Sequence, residues 1–177
     1  MIFEKHITVE DIELCFPTIK MAKGLCDVIL NNQVEFRYID EIRKQTDIAK
    51  CEGYLRSMAK LFKKDCGHYS YMIFKDKVLI GRAGIKVRPN GHVAELSYFL
   101  DKRFTGKGYV TKAVKALEDN FFNQGGHRCE IFCNEMNKNS RKVAERLGYQ
   151  LDGIMREYEL IEGVYSGVAI YSKIKTD

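Results

Sequence analysis

The chain has 177 residues, 45% hydrophobic and 30% charged, which suits one globular domain with its own core rather than two. No run of eighteen apolar residues offers a membrane span. The formal charge of +5 favours an anionic partner in general, but no basic run of five or more and no nucleic-acid-binding module accompanies it.

The opening segment, "MIFEKHITVEDIELCF", is too charged for a secretory signal. "IELCFPTI" reads as a first strand, and a helix follows from about Lys20 to Asn31. In "TDIAKCEGYLRSMAKLFKK", Thr46 is the expected N-cap of a helix whose apolar positions Ile48, Cys51, Leu55, Met58 and Phe62 keep helical spacing. "YSYMIF", "KDK" and "VLIGRAGIKV" read as a hairpin, and Pro89-Asn90-Gly91 turns the chain into "HVAELSYFL". Val110, Ala113, Val114, Leu117 and Phe121 then occupy one face of a helix that Gly125-Gly126 ends. "RCEIFCN" is a short strand, and "NSRKVAERLG" is a helix stopped by Gly148. "YQLDGIMREYEL" and "VYSGVAIYSKI" close the chain as paired strands around Glu162-Gly163. With no linker, repeat or low-complexity segment, residues 1–177 read as a single α/β domain, a mixed sheet with helices on both faces.

Six cysteines (Cys15, Cys26, Cys51, Cys66, Cys129, Cys133) are scattered, with no CxxC pair and no histidine at metal spacing. They read as reduced, mostly buried thiols of a cytoplasmic protein without a bound metal.

The segment "RFTGKGYV" precedes the striped helix. A dinucleotide fingerprint needs glycine three residues after Gly108, where Thr111 stands. A P-loop needs Ser or Thr directly after Gly-Lys and a glycine five residues before Gly106, and neither is present. What remains is Arg103-x-x-Gly106-x-Gly108 between a strand and a helix. Two glycines let the backbone approach an anion, and helix N-terminal amides favour phosphate, with Arg103 and Lys107 adding charge. An ordinary glycine turn before a core helix accounts for the same spacing.

"AELSYFLDKRFTGKGYVTKAVKAL" resembles motif A of the GNAT acetyltransferase superfamily. "NEMNKNSRKVAERLGYQLDGIMRE" and "GVYSGVAIYSKI" extend the resemblance to the RimJ/RimL-type ribosomal-protein N-acetyltransferases, strongest from Ala94 onward. The resemblance implies a single-domain GNAT fold, α/β with a mostly antiparallel central sheet, and acetyl-CoA as co-substrate without a metal. It implies that Leu96, Tyr98 and Leu100 bond the pantetheine arm through their backbone. Arg103, Gly106, Lys107, Gly108, Tyr109 and Thr111 would hold the pyrophosphate, and Asn137 would contact the cofactor. Ser140 matches a serine beside the thioester sulfur, and Glu159 matches a proposed general base. Three departures stand out: Cys15 replaces a usual arginine, Gly167 replaces an aspartate of the last hairpin, and there is no tryptophan.

Direct attack of a neutral amine on the thioester needs an oxyanion donor and a proton for the thiolate, but no covalent enzyme intermediate. Cys133 therefore reads as packing, and His6, His68, His92 and His127 have no catalytic spacing. Asn137 and Ser140 also suit the cap of the helix they open, a role compatible with cofactor contact. A strand-edge glutamate such as Glu159 is more often a solvated residue, and Glu95 is a second candidate base. A protein α-amine with pKa near 7.7–8.0 is roughly 10–20% neutral at pH 7, whereas lysine is below about 0.1%. That favours a protein N-terminus as acceptor, a ribosomal protein by resemblance. A small amine such as a polyamine, aminoglycoside or aminoacyl-nucleotide is the alternative, and a non-catalytic CoA- or nucleic-acid-binding module the rival. A homodimer is a further expectation from the family.

Overall fold

The computed structural model describes residues 1–177. β1 (His6–Val9) and β2 (Ile12–Cys15) form a tight hairpin turned at Glu10, whose φ is +51°. The sequence reading began at Ile12 and passed over β1, which has four residues, none of them fully buried. The hairpin also sets His6 opposite Cys15 and brings Glu13 to 2.9 Å from His6 Nε2, a proximity that spacing along the chain does not reveal. After Cys15 the strand stops, because Pro17 cannot donate to a ladder.

α1 (Ala22–Asn31) follows a short 3₁₀ turn, and α2 (Asp40–Arg43) is a single turn. α3 (Ile48–Lys63) is capped by Asp47, not by the expected Thr46. The Asp47 carboxylate accepts from the Lys50 amide at 2.8 Å, joining a cap bond with a negative charge at the positive helix end. The buried stripe of α3 is Cys51, Tyr54, Leu55 and Phe62, while Ile48, on the same face but the first residue of the helix, is exposed.

β3 (His68–Lys75) and β4 (Val78–Val87) join through Asp76-Lys77, both at positive φ, the twist a two-residue hairpin prefers. β5 (Val93–Leu100) continues the meander. α4 (Tyr109–Asn123) buries all five residues of its apolar stripe. Truncating one of these, Leu117→Ala for instance, would cost about 2–5 kcal/mol of stability. β6 (Arg128–Asn134), α5 (Lys138–Arg146), β7 (Gln150–Ile161) and β8 (Val164–Ile174) complete the chain as read.

The eight strands form one sheet in the order β1-β2-β3-β4-β5-β6-β8-β7, antiparallel throughout except between β5 and β6. The larger core lies between the sheet and the α4–α5 side, and the smaller lies under α1, α2 and α3 on the opposite face. One topological detail positions everything that follows. β5 and β6 pair only over Val93–Glu95 and Arg128–Glu130, and then diverge.

Candidate active site

The divergence leaves a wedge in the middle of the sheet. Asp101 donates its amide to Ile80 and Arg88 donates to Val93, so odd-numbered residues of β5 turn their backbone groups toward β4. By alternation, Tyr98 and Leu100 turn theirs toward the gap, where no strand faces them. A cavity of about 660 Å³ occupies the wedge. Its walls come from both faces of the sheet. Leu96, Tyr98, Leu100, Cys133 and Ser140 line the α4–α5 side; Phe36, Tyr38, Arg82, Ser97, Phe132 and Asn134 line the other. A long molecule can therefore enter from one face and meet a second molecule entering from the other.

At the α4 end of the wedge, Gly106 and Gly108 adopt φ of +77° and +81°, and Gly108 is the N-cap of α4. A β-carbon at either position would meet nothing within 4 Å, so glycine is needed for the backbone conformation and not for space. The Gly108 carbonyl accepts from Lys112, yet no amide from Gly106 through Thr111 has an acceptor in the protein. Six consecutive donors at the positive end of a fifteen-residue helix are an anion cradle that the protein itself leaves unsatisfied. Tyr109 and Thr111 line the cavity beside them.

The flanking cations are placed differently. Arg103 is tied to Asp101, donating from Nε at 3.0 and 3.2 Å to the two carboxylate oxygens, and its own amide also binds Asp101. Burial would raise the Asp101 pKa, but the bonds from Arg103 outweigh it and hold the carboxyl below its ordinary value. This pair fixes the start of the loop. Lys107 lies over the Phe104 ring, 5.7 Å from its centroid. Lys142 and Arg146 of α5 line the cavity as well, and sequence reasoning passed over both. Their signal was available, since Asn139, Lys142, Val143 and Arg146 recur at the i, i+3, i+4 and i+7 spacing of one α5 face.

Ser140 meets Tyr98 across the wedge, Oγ to hydroxyl, at 3.0 Å. Burial pushes the Tyr98 phenol up, so it is a neutral donor and acceptor at ordinary pH. Asn137 caps α5 by accepting the Ser140 amide at 3.2 Å, and it also lines the cavity, so capping and exposure to the site coexist. Cys133 lies beside Ser140 with its thiol raised by burial, the behaviour of a packed residue.

On the opposite face, Glu159 accepts from Asn134 Nδ2 at 3.1 Å, and Ser166 donates to Asn134 Oδ1 at 3.1 Å. Asn134 lines the cavity; Glu159 stands one side chain behind it. Glu95 lies in the paired part of β5, opposite Glu130 and outside the cavity. At Gly167 a β-carbon would sit 2.9 Å from Glu135 Oε1, and that carboxylate accepts the Gly167 amide at 2.7 Å. An acid from the loop after β6 thus faces Gly167, the position of the last hairpin at which the resemblance implies an aspartate.

Comparison with known proteins agrees with this geometry. The family model described as an acetyltransferase (GNAT) domain matches residues 14–150. The ribosomal-protein-serine acetyltransferase of Escherichia coli (strain K12) is 30% identical over 145 residues, covering 81% of this chain and 76% of that protein. Among solved structures, a ribosomal L7/L12 alpha-N-protein acetyltransferase in complex with coenzyme A superposes with a TM-score of 0.89. It is 24% identical, covering 97% of this chain and 99% of its own. The microcin C7 self-immunity acetyltransferase in complex with acetyl-CoA and AMP is 25% identical, with a TM-score of 0.87 and 93% of both chains covered.

Proposed function

The chain belongs to the GNAT acetyltransferase family and is an acetyl-CoA-dependent N-acetyltransferase; from that premise we propose that its acceptor is the N-terminal α-amine of a protein, a ribosomal protein as for its named relatives. The observation that carries the reading is the run of unsatisfied amides from Gly106 to Thr111 opening onto a wedge that traverses the sheet. Those amides and Lys107 receive the diphosphate, each charged hydrogen bond contributing roughly 1.5–3 kcal/mol. Tyr98 and Leu100 bond the pantetheine arm with their free backbone groups, as a sheet edge binds an added strand. Arg103 serves by holding the loop through Asp101. Tyr109, Thr111, Leu96 and Asn137 complete the walls.

Acetyl transfer then asks for two proton movements. Ser140, held by the Tyr98 hydroxyl, gives its proton to the departing thiolate and takes one back from that hydroxyl, which solvent re-protonates once the products leave. Glu159, which accepts from Asn134 Nδ2 behind the cavity wall, takes the amine proton by way of a water. A lone carboxylate behind the wall suits an α-amine, which needs little help to lose its proton at neutral pH, better than a lysine. Six free thiols fit a reducing compartment, and we place the protein in the cytoplasm. A second reading, acetylation of a small amine, is favoured by the likeness to the microcin C7 self-immunity enzyme.

The test is thiol release from acetyl-CoA against N-terminal peptides, polyamines and antibiotic amines, with mass spectrometry locating the acetyl group. Acetylation at peptide α-amines is expected. Release with small amines alone would replace the first reading by the second.

A further inference from the structure

Arg82 lies on β4, with its side chain on the face opposite α4, and it lines the wedge. Its polar contacts are two hydroxyls: Nη1 donates to Ser97 Oγ at 3.3 Å and Nη2 to Ser70 Oγ at 2.9 Å. Nε has no acceptor at all, and no carboxylate of the chain pairs with the group. Two other arginines hold carboxylates: the exposed Arg103 holds Asp101, and the partly buried Arg128 holds Glu130 and Asp152. Of the cations that line the cavity, Arg82 is the partly buried one, with donors to spare and no counter-charge.

The surroundings keep it there. A β-carbon at Gly84 would stand 2.8 Å from Arg82 Nη2, so glycine at 84 is what lets the guanidinium lie flat between β3 and β5. The backbone partner of Arg82 on β5 is Phe99, whose ring packs against Phe36 with centroids 5.1 Å apart, walling one side. A partly buried guanidinium without an anion is costly, and a carboxylate matches its fork of donors.

We propose that Arg82, with Ser97, forms a carboxylate-binding subsite on the acceptor face, so that the preferred acceptor carries an acidic group close to its reactive amine. The inference rests on the N-terminal peptide reading above. Arg82 stands about one strand spacing, ~4.8 Å, from β5, whose far edge borders the wedge. An extended peptide advances ~3.3 Å per residue, which puts the acidic side chain within the first few residues after the amine.

The experiment uses the full chain and pairs of peptides that differ only by Asp against Asn, or Glu against Gln, at positions two to four. For the native chain the acid-to-amide ratio of kcat/KM is expected on the order of tenfold or more at one position, the value of a charged hydrogen bond. Arg82→Gln should bring that ratio close to one, and Arg82→Lys should recover part of it. Arg82→Glu should turn the preference toward a lysine-bearing peptide. Gly84→Ala, which keeps the arginine but displaces it, should lower the ratio too, and calorimetry with coenzyme A reports whether each variant is folded. A ratio near one in the native chain, with peptides still acetylated, overturns the subsite and leaves the peptide reading standing. A large ratio that survives Arg82→Gln also overturns it. If peptides are inert while an α-amino acid is preferred over its amide in an Arg82-dependent way, the subsite stands and the peptide reading falls. If peptides are inert and no α-amino acid shows the dependence, both fall.

Discussion

Gly108→Ala isolates the anion cradle from everything else in the wedge. The new methyl group would meet no atom within 4 Å, so the substitution leaves packing untouched. Its whole effect is the left-handed backbone at φ +81°, which costs an alanine about 1–2 kcal/mol. None of the amides from Gly106 to Thr111 is bonded in the free loop, so only the Lys112 amide's bond to the Gly108 carbonyl opposes a relaxation to negative φ that sheds that strain. A bound diphosphate requires the amides to converge again, so the complex carries the strain and affinity for coenzyme A should fall by about five- to thirtyfold, at ~1.4 kcal/mol per tenfold. Calorimetry measures this directly. The discriminating partner is acetyl-pantetheine, a thioester donor with no diphosphate. The kcat/KM ratio of acetyl-CoA to acetyl-pantetheine should drop by the same factor as the affinity. Unchanged coenzyme A affinity, or an equal loss with both donors, would refute the assignment of the diphosphate to this loop.

Two further outcomes follow from the geometry. Ser140→Ala should lower the turnover number by about a hundredfold with a smaller change in acetyl-CoA affinity, and Tyr98→Phe should act through the same 3.0 Å contact. The double variant should therefore be little worse than Ser140→Ala alone, whereas multiplied losses in single-turnover rates would show two independent roles. The second concerns acid stability. Because the folded Asp101 carboxyl titrates below its unfolded value near 3.9, the stability it supplies is present above about pH 4 and is lost as the pH falls through the lower folded value. Asp101→Asn should be less stable at neutral pH and flatter across the acid range in denaturant melts; a parallel profile would show that the pair with Arg103 contributes nothing.

Much of this architecture is legible in the sequence, because local physics sets it. The α4 stripe, the turn at Asp76-Lys77, the glycine pair and the cap at Asn137 each depend on residues within a few positions of one another. What escaped depends on pairing across distance. β1 is visible only as the partner of β2, and Thr46 lost the cap of α3 to Asp47, a neighbour that offers a full charge. Arg103 was legible as a cation beside a phosphate loop, but its tie to Asp101 two residues back was a choice between equally local partners. Arg82 carried no signal, since its ligands Ser70 and Ser97 lie on two other strands.

The same distinction explains how departures from the family pattern can leave the site intact. Gly167 alone reads as the loss of an acid from the last hairpin. In the folded chain the empty volume at Gly167 admits Glu135, whose carboxylate takes the Gly167 amide from the opposite side of the β6–β8 pair. The two segments that meet there are thirty-two residues apart, so neither reveals the contact separately. The parity of β5 works in a similar way. Its even residues line the α4–α5 side and its odd residues, Ser97 and Phe99, the acceptor side. The β4–β5 register, unbroken from Gly81↔Leu100 to Val87↔Ala94, sets Arg82 opposite Phe99 and so on that second face. That register decides that an arginine, and not the adjacent glycine, meets whatever enters the wedge from the acceptor side.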